Sequence, residues 1–264
     1  MLKENNAKPK NYRRESLMMT GIAMLVVYVL WNIPQLDILL YPLKLFTTYV
    51  HEAGHALAAI ISGGEVISFT VALDGSGLTT RRGGWDWLIG PAGYLGAALF
   101  GSVLFYVVNR FPRVTNPVAV VLGVAMALFT IFFSGGNFLA LLLGVGFGMI
   151  MMALGLRAHP VITMFALNIL AVSTALEAFF DLRYLMFFID ASNGEVMNDA
   201  VNFHDRVTPF IPASVIAITW AGIAIIMFAL ALYYGAWKPL QREINDTYDT
   251  ITKKDRKIES VRDI

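Results

Sequence analysis

The chain has 264 residues, of which 57% are hydrophobic and 15% charged. A soluble globular domain carries about a quarter charged residues, so this composition excludes that class and reads as a polytopic membrane protein. A net charge of +1, with no basic stripe interleaved with aromatics, argues against a nucleic-acid partner, and the absence of cysteine excludes disulfides and thiolate metal sites.

Residues 1–16 are polar and carry Lys3, Lys8, Lys10, Arg13 and Arg14, which reads as a cytoplasmic tail. The apolar run from Leu17 to Ile33 is just long enough to span a bilayer, has no A-x-A-like cleavage site after it, and is ended by Pro34. A second helix, about Ile38 to Ser62, is then expected to return inward and close at Gly63-Gly64. It contains His51-Glu52-Ala53-Gly54-His55, an H-E-x-x-H pattern. At 100° per residue the two histidines lie one turn apart on one face and can grip one metal ion, with Glu52 beside them as general base for a bound water. Two of the four histidines of the chain belong to this motif, and a tetrahedral catalytic zinc needs a third protein ligand from elsewhere. Burying Glu52 and two imidazoles in an otherwise apolar span costs several kcal/mol unless they are partnered, which favours a functional role.

From Val66 the period changes to alternation, with Ile67, Phe69, Val71 and Leu73 on one face, a turn at Asp74-Gly75-Ser76-Gly77 and a return strand at 78–80. This predicts a β-hairpin over about 65–80, too short to span and packed on the helices at the membrane surface. Its Ile67, Phe69 and Val71 edge can receive an extended substrate segment by strand addition. The run from Trp85 to Val108 follows, with small residues at Gly93, Ala97 and Gly101 that let the motif helix approach closely. Pro117 to Phe133 and Phe138 to Leu156 form a helical hairpin with almost no polar chemistry and read as scaffold. In the run from Val161 to about Ile189, Glu177 and Asp181 share a face; two like charges at that spacing destabilise a helix unless a cation, a shared proton or water relieves them, which makes Asp181 a candidate third ligand. Asp199, in the polar segment 190–209, is its rival, and His204 is a weaker candidate or a proton relay. A last span, Phe210 to Tyr234, ends in an aromatic belt before a charged tail at 237–264.

The expected fold is all-α: one transmembrane domain over 17–236, with six to seven membrane helices and the small hairpin after the second. Seven spans would put the two tails on opposite sides.

At His51 to Ala58 (H-E-A-G-H-A-L-A), with the following Gly-Gly, the hairpin and Gly90-Pro91-Ala92-Gly93, the chain resembles the site-2 protease family of intramembrane zinc metalloproteases. It is most similar to a short bacterial and plant branch without a regulatory PDZ domain. The resemblance implies one zinc ion on His51 and His55, water activation by Glu52 and an aspartate from a later helix as third ligand. In the family that aspartate lies in an L-D-G sequence preceded by N-x-x-P. Here Leu73-Asp74-Gly75 has the letters but falls in the hairpin, and Asp181, in Phe180-Asp181-Leu182, is the choice by depth and helical context. The expected function is hydrolysis of peptide bonds within or beside membrane segments of protein substrates, in a multi-pass protein of a bacterial-type cell membrane. The alternatives are an inactive scaffold or a metal transporter using the same site.

Overall fold

The computed structural model describes residues 12–177, 179, 199–245, 248 and 252. Helix α1 (Tyr12–Asn32) is stopped by Pro34, which supplies no amide donor; a 3-10 turn at Pro34–Leu36 leads into α2 (Asp37–Ile61). The two helices are bent by 109° at this break. Helix α2 ends where the Ser62 hydroxyl bonds the Ala58 carbonyl, and Gly63, at φ +80°, turns the chain into the hairpin.

Strands β1 (Glu65–Val71) and β2 (Gly77–Arg82) pair antiparallel, with a bulge between Val66 and Ser68. Their turn is held by Asp74 Oδ1, which accepts from the Ser76 amide at 2.9 Å and the Ser76 hydroxyl at 2.7 Å. Then come α3 (Asp86–Arg110), α4 (Thr115–Phe133), α5 (Phe138–Arg157) and α6 (Pro160–Ala175). After the segment 180–198, which lies outside the described residues, follow α7 (Asp199–Arg206) and α8 (Ala213–Leu232), the latter continued by a π-helical turn at Tyr233–Trp237.

Among the described residues four helices are long and apolar enough to cross a membrane, and the bent α1–α2 pair makes a fifth passage if counted as one span. The first and second spans read from the sequence correspond to this bent pair. Helix α6 has 16 residues, short of a span, and its expected continuation to Ile189 lies outside the described residues.

Helix α3 is the central column. A Cβ on Gly54 would lie 2.2 Å from the Ala92 carbonyl oxygen, so the α2 and α3 backbones touch; Gly101 likewise meets Ala171 and Ala175 of α6. The small-residue stripe of α3 therefore serves two neighbours, the motif helix near Gly93 and α6 at Gly101. Within the apolar interior the Thr20 hydroxyl donates to Asn109, whose amide donates to Asn168 Oδ1 at 2.7 Å, clamping α1, α3 and α6. Outward, α4 and α5 expose residues such as Phe132 and Phe138, as a lipid-facing surface does.

Contacts sort the helix ends into two faces. Thr20 of α1 against Asn109, Gly235 against Tyr106, and the Asn116 amide on the Ala158 carbonyl gather the outer half of α1, the end of α3, the start of α4, the end of α5 and the end of α8 on one face. The end of α2, the base of the hairpin and the start of α3 lie together on the other, joined by the Trp85 amide on Ser62 Oγ. Helix α2 thus ends on the face of the α3 start, and α8 ends on the face of the α3 end.

Candidate metal centre

His51 and His55 are one turn apart on α2, and both are buried with Glu52. Their Nε2 atoms stand 3.2 Å apart. Asp199 Oδ2 completes the group, 2.8 Å from His51 Nε2 and 3.0 Å from His55 Nε2. Ligands of a tetrahedral zinc at about 2.0–2.1 Å stand about 3.3 Å apart, so the three atoms need to open by only tenths of an ångström to hold such an ion. Burial would raise the Asp199 carboxyl, but the two imidazoles outweigh it and hold this group, outside the membrane-spanning segments, well below the usual carboxylate range. The donor set of two imidazoles and a carboxylate suits zinc.

Asp199 is delivered by α7, which docks through Ala200 and Phe203. Phe203 packs edge-on against Trp87 and Trp220 and lies so close to Gly90 that a Cβ there would come within 2.3 Å of its ring. Among the described residues these three are the only group of metal-ligating side chains so arranged. Asp181 lies outside the described residues. His204 is not brought to the group: its Nδ1 donates to the Ile211 carbonyl at 2.8 Å and pins the chain after α7.

The outer ring nitrogens are also engaged. His55 Nδ1 lies 2.7 Å from the Ile89 carbonyl; a carbonyl only accepts, so Nδ1 carries the proton and Nε2 presents its lone pair. His51 Nδ1 lies 3.3 Å from Glu177 Oε1, and the Tyr94 ring stands edge-on to His51 at 4.6 Å between centroids. Glu177 drew notice in the sequence only as a neighbour of Asp181. Gly93 closes the floor: any side chain there would put a Cβ 2.2 Å from His51 Nε2 and 2.5 Å from His55 Nε2.

Glu52 faces a cleft of about 290 Å³ lined by β2, the start of α3 and the 199, 202, 203, 206 stripe of α7. Thr79 Oγ1 stands 2.7 Å from Glu52 Oε2 and 2.9 Å from the Glu52 carbonyl, and donates its one proton to either. Gly77 leaves room for the carboxylate, since a Cβ there would lie 2.5 Å from Glu52 Cγ.

Of the hairpin residues expected at the substrate edge, two turn their side chains into the core. Phe69 and Val71 are 0% and 1% exposed, and the Phe69 ring packs on Tyr49 and Phe129. Ile67 sits at the bulge, 47% exposed, where the Gly135 turn approaches its carbonyl. The strand that borders the cleft is β2, through Gly77, Leu78, Thr79 and Arg81.

A family model described as Peptidase M50B-like matches residues 19–233 of the chain. No curated protein and no solved structure matches.

Proposed function

Since the chain belongs to the M50B-like peptidase family, an assignment consistent with its site-2 protease resemblance, we propose that it is a zinc-dependent intramembrane endopeptidase cutting peptide bonds in or next to membrane segments of protein substrates. Within the family we place it in the short branch without a PDZ domain and in a bacterial-type cell membrane. The observation that carries this reading is the convergence of His51, His55 and Asp199 beside a buried Glu52, at the mouth of one cleft. Six to seven membrane helices are the count proposed for the whole chain, beyond the four or five that length and composition support among the described residues.

His51, His55 and Asp199 would hold the ion at the edge of the cleft. Zinc held there supplies acidification of water and polarisation of a carbonyl. Glu52 takes up the proton released and later delivers it to the leaving amine, with Thr79 orienting the carboxylate. Gly93 sits seven residues, about 10 Å at 1.5 Å per residue, from the start of α3, so cleavage takes place below the membrane surface. A helix hides its carbonyls in hydrogen bonds, so the substrate must be extended first; the free edge of β2 offers the matching donors and acceptors for such a strand.

The test is the pair Glu52→Gln and His51→Ala. Glu52→Gln should keep about one zinc per chain and lose cleavage, and His51→Ala should lose both. Wild-type protein free of zinc, or wild-type cleavage by Glu52→Gln, would reject the mechanism in favour of a scaffold or a metal carrier.

A further inference from the structure

The geometry points to Glu177 as a positioning residue for the metal, one that commits His51 to presenting Nε2 to the ion. The inference rests on the zinc reading of the site. An imidazole has two nitrogens, and only the one without a proton can bind a metal; which one that is follows from what the other nitrogen touches. For His55 the choice is made by the Ile89 backbone carbonyl at 2.7 Å. For His51 no backbone acceptor takes that place among the described residues, and the group opposite Nδ1 is the Glu177 carboxyl, with Oε1 at 3.3 Å.

The side chain is too costly to be incidental. Glu177 is 8% exposed and His51 9%, both within the helical body of an integral membrane protein, where an ionisable group is retained only with a partner. Its place just beyond α6 is set by the close approach of α6 to Gly101 of α3, so the same column that carries Gly93 under the histidines also aims Glu177 at one of them. The His51 ring is thus held from three directions: Glu177 at Nδ1, Asp199 at Nε2, and the edge-on Tyr94 across its face. A carboxyl oxygen accepting from Nδ1–H fixes the ring orientation and makes Nε2 the more basic donor. Removing such a partner costs 10–100-fold in metal affinity in other histidine–zinc sites.

Purified Glu177→Ala and Glu177→Gln should bind zinc about 10–100-fold more weakly than wild type in competition with a chromophoric chelator, with Gln the milder because its amide oxygen can still accept from Nδ1–H. Melting of the metal-free proteins, followed in parallel, should show no loss of stability, because the buried carboxylate serves the metal and not the fold. Equal zinc affinity in wild type and both variants overturns the inference. So does a loss of affinity that tracks a destabilised metal-free protein, which would make Glu177 a packing residue. Wild-type protein that binds no zinc rejects the metal reading itself, a result distinct from either.

Discussion

Gly93→Ala adds one methyl group to the floor of the site. Its Cβ would stand 2.2 Å from His51 Nε2 and 2.6 Å from His51 Cδ2, with His55 Nε2 at 2.5 Å. Ordinary contact begins near 3.4 Å, so one or both rings must retreat by more than about 1 Å. Helix α2 cannot move off as a body, because Gly54 is already against the Ala92 carbonyl and Phe46 is locked in the core against Phe100 and Phe147. The rings must therefore leave their rotamers, at about 0.5–1.5 kcal/mol each, within an overpacking cost of about 1–3 kcal/mol. A metal site tolerates only about 0.2 Å in its bond lengths, so such a shift removes a ligand outright. The expected loss of zinc affinity is at least about 100-fold, or about 2.8 kcal/mol, read by chelator competition on the purified protein. Gly146→Ala is the control: its Cβ meets nothing within 4 Å on α5, and it should bind zinc as wild type does. Wild-type zinc affinity in Gly93→Ala would refute the placement of the ligand nitrogens against α3.

Gly77→Ala should do the reverse, keeping zinc while lowering cleavage by about 100-fold or more, since its Cβ displaces Glu52 from 2.5 Å at Cγ and leaves the ligands alone. Retained cleavage would show that β2 does not confine the base. Asp199→Ala should lose zinc and Asp181→Ala should keep it, as metal analysis of the two purified variants would show; the opposite pattern would move the third ligand onto the segment after α6. Because the chain contains no cysteine, single cysteines at Glu65 and Gln241 report sidedness directly: an impermeant maleimide added to intact cells should label Glu65→Cys and spare Gln241→Cys. Labelling of Gln241→Cys alone would invert the orientation.

The parts of the site that lie on one helix were legible from sequence, because residues four apart on a helix share a face whatever the rest of the chain does. His51, Glu52 and His55 are of this kind, and so is the hairpin turn, whose Asp74-Gly75 chemistry is local. Asp199 is not. Periodicity says which residues of one helix share a face, but not which helix that face will meet. The available signal was the Ala200 and Phe203 pair, an apolar i, i+3 step in a polar segment, which marks a short helix docking somewhere and leaves Gly90 and Trp220 as its receptor unspecified. The hairpin is a different case. Its alternation was visible, but a sheet lying on helices at a membrane can bury either face, and the aromatic pocket of Tyr49 and Phe129 took Phe69 inward and left β2 at the cleft.

The break at Pro34 bears most on orientation. Two apolar runs separated by a proline read naturally as two crossings, which would return the motif to the side of the amino-terminal tail. The pair turns by 109°, and α2 ends with the base of the hairpin on the face of the α3 start, opposite the end of α8. Lysine and arginine then divide unequally. Arg110, Arg113, Arg157, Lys238 and Arg242 sit at helix ends on the face of the α3 end, whereas Arg81, Arg82 and Arg206 lie on the face of the cleft. Arg81 is moreover paired with Asp86 at the cleft wall. The positive-inside rule counts basic residues in short loops near the membrane, and by it the face of the α3 and α8 ends is expected in the cytoplasm. On that count the cleft is expected to open on the far side of the bilayer, and the cysteine pair at Glu65 and Gln241 is the measurement that decides it.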